Sequence, residues 1–198
     1  MSRRVEEAIA AVPREWFLPP TERRNAAYDG PLPIGYGQTN SQPRTVAMML
    51  TLLDVQPGRR VLDVGSGSAW TTALLGHLVG PEGTVIGVER IPQLAEWGSA
   101  SLDNAGMPWA RVQLARPGVL GWPEEAPYDR VLVSAEPRVL PQALIDQLGD
   151  DGVMVIPVDG RMLRVVRSAS GLDIGRFGHF RFVPLIDPDD QAPTPSDP

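Results

Sequence analysis

Arg60-Val-Leu-Asp-Val-Gly-Ser-Gly-Ser-Ala-Trp-Thr-Thr-Ala-Leu-Leu-Gly-His-Leu-Val79 reads as a short buried strand, a glycine turn and the start of a helix. Val61, Leu62 and Val64 form an apolar run too short for a helix, which suits a strand covered on both faces. Gly65 and Gly67 permit a tight turn and leave room for a ligand against the main chain. Thr71 to Val79 carries Leu74, Leu75 and Leu78 at helical spacing. The helix therefore opens its free N–H groups onto a crevice beyond the strand, as in nucleotide sites. The dinucleotide fingerprint requires a third glycine where Trp70 stands, and no lysine follows to make a P-loop. The bland alternative is a glycine turn that binds nothing.

The rest of the chain is arranged around this unit. Ser2 to Val12 places Val5, Ala8, Ile9 and Val12 on one helical face, and Pro13 ends that helix. Pro13 to Pro20 reads as an irregular apolar segment over a core edge. Tyr28 to Pro43 is rich in Gly and Pro. A loop of this length is functional or disordered, and Leu32, Ile34 and Tyr36 argue against disorder. Thr45 to Leu53 is a helix with Pro43 in its first turn. Ser41 or Gln42 stands where its cap would sit, so the residues alone give Ser41 a capping role.

Downstream, Gly80 to Gly83 turns the chain into a strand, Thr84 to Val88. Glu89 ends it at the spacing of an acidic ribose ligand, and the bland alternative is a solvated strand end. Helices are expected over Gln93–Asn104 and Pro141–Leu148, closed by Gly106 and Gly149. Strands are expected over Arg111–Ala115, Tyr128–Ser134 and Gly152–Val158. Asp159-Gly160 marks a hairpin into Met162–Arg167, and Phe177–Leu185 reads as a last strand. Strands alternate with helices to about residue 150 and are then linked by hairpins. This predicts an α/β fold: a doubly wound Rossmann-like sheet with antiparallel strands at the C-terminal edge. Residues 1–186 make one domain. Residues 187–198 are acidic and Pro-rich, which predicts a disordered tail.

With 198 residues and 42% hydrophobic content the chain can bury a sizeable core. A formal net charge of -6 does not invite nonspecific nucleic-acid binding. The chain has no cysteine, and His77 and His179 lie far apart without neighbouring ligand patterns, so no metal centre is expected. No apolar run is long enough to span a membrane and no signal-peptide core is visible, which makes a cytoplasmic location the expectation.

Asp63-Val-Gly65-Ser-Gly67-Ser68-Ala69 resembles the Asp-x-Gly-x-Gly-x-Gly signature of S-adenosylmethionine (SAM) methyltransferases, with Ala69 in the place of the last glycine. Leu32-Pro-Ile34-Gly-Tyr-Gly-Gln38-Thr39-Asn40-Ser41-Gln-Pro43 closely resembles the substrate loop of protein-L-isoaspartate O-methyltransferases. Further blocks agree in the same order: Val12-Pro-Arg-Glu-Trp-Phe17, Val88-Glu89-Arg90-Ile91, Gly121-Trp-Pro123, Ile156-Pro-Val158 and Arg181-Phe-Val-Pro-Leu185. That resemblance implies transfer of methyl from SAM to the α-carboxylate of isoaspartyl residues in damaged proteins or peptides. The ester then cyclises to a succinimide, which hydrolyses partly to normal aspartate. It further implies that Ser41 is the catalytic-site serine and that Asp63 lies near the methionine ammonium of SAM. Gly65, Gly67, Ser68, Glu89 and Arg90 would line the cofactor. Three departures stand at or beside the expected crevice. Ala69 replaces a glycine, Pro117-Gly118 replaces an Asp-Gly pair whose Asp lies near the adenine, and Ala135-Glu-Pro-Arg138 replaces a small apolar run.

A carboxylate is already ionised at neutral pH, so such chemistry needs alignment and exclusion of water rather than a strong base. Three other readings compete. One is the same reaction on an aspartate of a dedicated peptide, and a second is a non-catalytic relative that binds SAM or isoaspartyl peptides. The third, a nicotinamide dehydrogenase, conflicts with Trp70.

Overall fold

A computed structural model describes residues 2–186. The tail expected to be disordered, residues 187–198, lies outside the described residues. Ser2 caps α1 (Arg3–Ala11) by accepting the Val5 N–H at 3.4 Å, and the buried face of that helix carries Val5 and Ala8. The stretch Tyr28 to Pro43, read above as a loop, contains a hairpin of β1 (Leu32–Gly35) and β2 (Gln38–Asn40). Tyr36 and Gly37 turn it with φ of 54° and 70°, the positive pair that a two-residue hairpin turn demands. Only Leu32 and Ile34 point inward, a period too brief to stand out among Gly and Pro. In α2 (Pro43–Leu53) the cap is neither Ser41 nor the Gln42 side chain. Asp29 reaches in instead, and its carboxylate accepts the Arg44 N–H at 3.1 Å.

The chain then runs through β3 (Arg60–Val64), α3 (Trp70–Val79), β4 (Thr84–Glu89), α4 (Pro92–Asn104), β5 (Ala110–Leu114) and β6 (Tyr128–Val133), close to the expected bounds. The next helix is shorter than expected. α5 is one turn (Gln142–Ile145), because Leu148 already pairs with Tyr128 and starts β7 (Leu148–Val158), so Gly149 lies inside a strand. Asp159-Gly160 turns the chain into β8 (Arg161–Ser168) with positive φ at both residues, as expected. Among the described residues the last strand is β9 (Gly171–His179), not Phe177–Leu185. It is an edge strand exposed along most of its length, so it carries no apolar alternation to read.

The seven strands of the main sheet run in the order β5-β4-β3-β6-β7-β8-β9. Pairings from β5 to β7 are parallel, and β8 and β9 add antiparallel. Val61 and Val85 turn to one face, where they pack with buried residues of α1, α2 and α3. Leu62, Val64, Ile86 and Val88 belong to the opposite core, with Leu144 and Ile145 of α5. From β3 the chain steps outward through β4 to β5, then returns to the other side of β3 as β6. The switch point therefore lies at the C-terminal end of β3, where a crevice opens in this class of sheet.

One glycine inside the sheet is required by close approach. Gly87 pairs with Asp63 across β3 and β4. A Cβ on Gly87 would stand 2.9 Å from Thr72 Oγ1 and 3.0 Å from Ser66 Cβ. Ser66 and Thr72 thus fill the space above residue 87, which seats the turn on the sheet. Gly87→Ala is expected to destabilise the fold by about 1–3 kcal/mol, measured as a lower urea midpoint with unchanged slope. An unaltered midpoint would show that the turn has slack.

Candidate functional site

The backbone of the glycine turn is anchored to β4. Gly65 N–H and Ser66 N–H both donate to the Val88 carbonyl, at 2.9 and 3.2 Å. Gly65 and Gly67 take positive φ, and a Cβ on Gly67 would meet Ile34 Cδ1 at 3.1 Å. The hairpin is therefore packed directly onto the turn. Ala69 also takes the left-handed conformation, φ 71°, as the residue before α3. That costs a side-chain-bearing residue about 1–2 kcal/mol. Its methyl is buried, and the absence of a side chain at Gly98 of α4 leaves room for it.

A cavity of about 440 Å³ opens above the turn, within the usual size for small-molecule sites. The sequence-read residues Gly65, Gly67, Ser68, Glu89, Arg90 and Gly118 line it, together with Ile34, Gln38, Thr39, Asn40 and Ser41 of the hairpin and its exit. Glu89 is 5% exposed, and its two carboxylate oxygens accept the N–H groups of Gly67 and Ile91, each at 2.9 Å. Each oxygen keeps a further lone pair for a hydroxyl in the cavity. Ser41 contributes no cap hydrogen bond to α2 and lines the cavity.

Asp63, expected near the methionine ammonium, is fully buried under the turn rather than standing in the cavity wall. Its Oδ2 accepts the hydroxyls of Thr71 and Thr72, both at 2.7 Å, so it ties the end of β3 to the first turn of α3. Among the described residues its Oδ1 finds no partner, and neither does the buried Ser66 Oγ. Burial pushes the Asp63 carboxyl up to about 6; the two threonine hydroxyls pull it back, and the charge of Glu89 raises it further.

Three contributions escaped the sequence. Arg14, in a segment read as irregular and apolar and as one of the family-like blocks, is 5% exposed and holds the hairpin in place. Its Nε donates to Asn40 Oδ1 at 2.7 Å, and its Nη atoms donate to the carbonyls of Tyr28, Gly30, Asn40 and Ser41, each at 2.9 Å. Burial lowers the guanidinium to about 10 against the opposing charge of Asp29, so it stays charged at neutral pH. It also lies 5.5 Å over the Trp70 ring, whose Nε1 donates to Val12 O at 3.1 Å. Asn40 then donates to Ser68 Oγ at 3.4 Å, linking hairpin to turn. The second contribution is the segment Val183–Ile186, which forms part of the cavity wall although its residues up to Leu185 were expected in a strand. The third is Glu136, which holds that segment by main-chain and carboxylate hydrogen bonds. An arginine between Val12 and Phe17 was the available signal for the first, since a charge among buried apolar residues needs partners.

The sequence model of the protein-L-isoaspartate(D-aspartate) O-methyltransferase family matches residues 1–190. A protein-L-isoaspartate O-methyltransferase of Aeropyrum pernix is 46% identical over 190 residues, covering 93% of this chain and 73% of that relative. One of Methanopyrus kandleri is 45% identical over 190 residues, covering 93% and 84%. Among solved structures, a protein-L-isoaspartate O-methyltransferase superposes with a TM-score of 0.83 at 24% identity, covering 94% of this chain and 62% of that one. A Plasmodium falciparum protein described as a putative member, in complex with S-adenosyl-L-homocysteine, gives 0.82 at 24%, covering 93% and 91%. These two superpositions show the fold.

Two outcomes follow from the buried charges. Because the folded state holds the Asp63 proton more tightly than the unfolded chain, its stabilising share is complete below about pH 4 and is lost as pH rises through about 6. Asp63→Asn removes this loss, so the variant should gain on the parent between pH 4 and 7 by up to about 3 kcal/mol, read from urea midpoints. A pH-independent gap would contradict the assignment. Arg14→Lys keeps a charge but lacks the planar donor fork. It should cost at least about 2 kcal/mol and speed amide exchange in residues 28–42 while β3, β4 and β6 stay protected. Uniform acceleration throughout would argue against a local role.

Proposed function

The chain belongs to the protein-L-isoaspartate O-methyltransferase family, and from that premise we propose that it methylates the α-carboxylate of isoaspartyl residues in proteins or peptides, with SAM as donor. The observation that carries this reading is the meeting of two walls on one cavity: the Glu89-anchored glycine turn and the hairpin that ends at Ser41. The residues present fit the cofactor. Gly65 and Gly67 let a ligand lie against the main chain, and Glu89 offers its remaining lone pairs to the two ribose hydroxyls. Gly118 and Pro117 border the adenine end without a side-chain acceptor, which puts more of the recognition on Glu89 and the turn.

SAM supplies a methyl group already activated by its sulfonium. The acceptor carboxylate is ionised at neutral pH and is itself the nucleophile. The carbon–oxygen bond forms as the methyl–sulfur bond breaks, so no proton must be moved and no general base is required. What the chain contributes is alignment. The Ser41 hydroxyl donates to one carboxylate oxygen and turns the other toward the methyl. Asn40, pinned by Arg14, fixes the backbone from which Ser41 projects. Ile34 and the apolar wall at Val183 to Ile186 exclude water from the reacting end. Proteins and peptides rather than nucleic acids are the partners, in keeping with the net charge of -6. A cytoplasmic location belongs to the same proposal.

The test is incubation with methyl-labelled SAM and a matched peptide pair, one isoaspartyl and one aspartyl. Selective labelling of the isoaspartyl peptide is expected. Labelling of the aspartyl peptide alone would move the acceptor to ordinary aspartate, and labelling of neither would remove the catalytic reading. In the same assay Ser41→Ala should lower kcat/KM by about 10–100-fold, the range for a lost hydrogen bond to a charge. Its melting temperature should stay put, because Asp29 caps α2. Wild-type turnover with reduced stability would return Ser41 to a structural role.

A further inference from the structure

After β9 the chain leaves the sheet and folds back over the cavity. Val183, Pro184, Leu185 and Ile186 reach the cavity in this way without belonging to a strand. An irregular segment has no ladder to satisfy its backbone, and here Glu136 does so. The Glu136 N–H donates to Val183 O at 2.8 Å, and the Leu185 N–H donates to Glu136 O at 2.9 Å. These form a parallel bridge between Glu136 and Pro184. The Glu136 carboxylate adds two acceptors, one for the Phe182 N–H at 3.2 Å and one for the Gly160 N–H in the turn between β7 and β8. One residue thus joins the chain just beyond β6, a hairpin turn and the final described segment.

The order of the sheet says which end of the cavity this controls. Glu89 and the loop after β5 lie on one side of the glycine turn, whereas Ser134 to Glu136 lie beyond β3 on the other. A Cβ on Gly65 would meet Ala135 Cβ at 3.7 Å, so this second wall stands against the first glycine of the turn. With ribose at Glu89 and adenine beside Pro117 and Gly118, the wall at 183–186 faces the opposite end, where the methyl acceptor must approach.

We propose that Glu136 is a positioning residue for the acceptor: by gripping the amides of Gly160 and Phe182 it sets the wall at residues 183–186 against which the isoaspartyl peptide is aligned. This rests on the methyl-transfer reading above. A carboxylate suits the task because its two oxygens accept from two amides on separate segments. Alanine can keep the main-chain bridge but neither side-chain bond, and glutamine keeps one acceptor oxygen of the two. Glu136 lies on the far side of the turn from the cofactor contacts at Glu89, so its loss is felt by the acceptor rather than by SAM.

The experiment compares the parent with Glu136→Ala and Glu136→Gln. It measures KM and kcat for an isoaspartyl peptide, SAM affinity by calorimetry, and amide exchange at Gly160 and Phe182. For Glu136→Ala the expected result is a peptide KM at least tenfold higher, SAM affinity within twofold of the parent, and faster exchange at both amides. Glu136→Gln should fall between the two. An unchanged peptide KM despite faster exchange overturns the acceptor role, and unchanged exchange overturns the clamp itself. SAM affinity falling in step with peptide affinity also overturns the proposal, since it marks general damage to the cavity. A parent that labels no isoaspartyl peptide brings down the methyl-transfer reading and the acceptor assignment with it, while the exchange data still judge the clamp.

Discussion

Arg14 can remain charged and buried only while five carbonyl and amide oxygens of the Tyr28–Ser41 stretch face it. A guanidinium taken out of water must recover its hydrogen bonds from the protein, and the loss of any large share costs several kcal/mol. The requirement runs both ways. The carbonyls of Tyr28, Gly30 and Ser41 lie outside any strand, so Arg14 supplies the donors that a ladder would have given them. A hairpin as short as Leu32–Asn40 is marginal by itself, and this one becomes a defined wall because a single side chain reads its backbone on both flanks. Trp70 carries the same constraint to the glycine turn, through the ring under Arg14 and the Nε1–H on Val12 O.

The turn itself depends on a different kind of fit. Asp63, Ser66, Thr72 and the bare backbone of Gly87 share one small space between sheet and helix. Burial in this space raises the Asp63 carboxyl, against the pull of the two threonine hydroxyls, and makes the seat of the turn sensitive to proton uptake. The strain at Ala69 is accommodated in the same region, with Gly98 yielding the volume. The cofactor side of the cavity is therefore fixed by main chain. The N–H groups of Gly65 and Ser66 are held by the Val88 carbonyl, and those of Gly67 and Ile91 orient Glu89.

What could be read in advance follows from this division. The strand from Arg60, the turn and the helix after it announce themselves through period and glycine placement, and Glu89 follows from spacing. These are local signals, and the structure keeps their bounds to within a residue or two. The motif marks Asp63 by its place in the chain, while its bonds to Thr71 and Thr72 depend on which face of the strand α3 covers, which no local pattern gives. The cap of α2 was sought among Ser41 and Gln42, yet it comes from Asp29, a distant partner that no local pattern reveals. The strand β9 hid because an exposed edge needs no apolar alternation, and α5 was read too long because Leu148 was claimed by the ladder with Tyr128. Arg14 was legible only as a residue in a block that matched a family, and Glu136 only as part of a departure from that family's pattern; their grip on distant backbone is a property of the fold.

Those two residues share a physical logic that separates the acceptor side from the cofactor side. The hairpin and the segment at residues 183–186 are two cavity walls outside the main sheet, irregular or barely regular, and each is held by one charged side chain bonded to main-chain groups. Arg14 donates to carbonyls of the hairpin flank, and Glu136 accepts from amides at Gly160 and Phe182. A charge suits this work because hydrogen bonds to ions are about twice as strong as neutral ones, and one side chain can satisfy several groups that no strand partner reaches. Such walls can differ in shape between related chains without disturbing the parallel strands beneath. The turn cannot, since its atoms are spaced by the register of β3 and β4. The substitution at residues 135–138 therefore falls where the architecture tolerates change, on the acceptor wall, and it installs there the acceptor group that holds the wall in place.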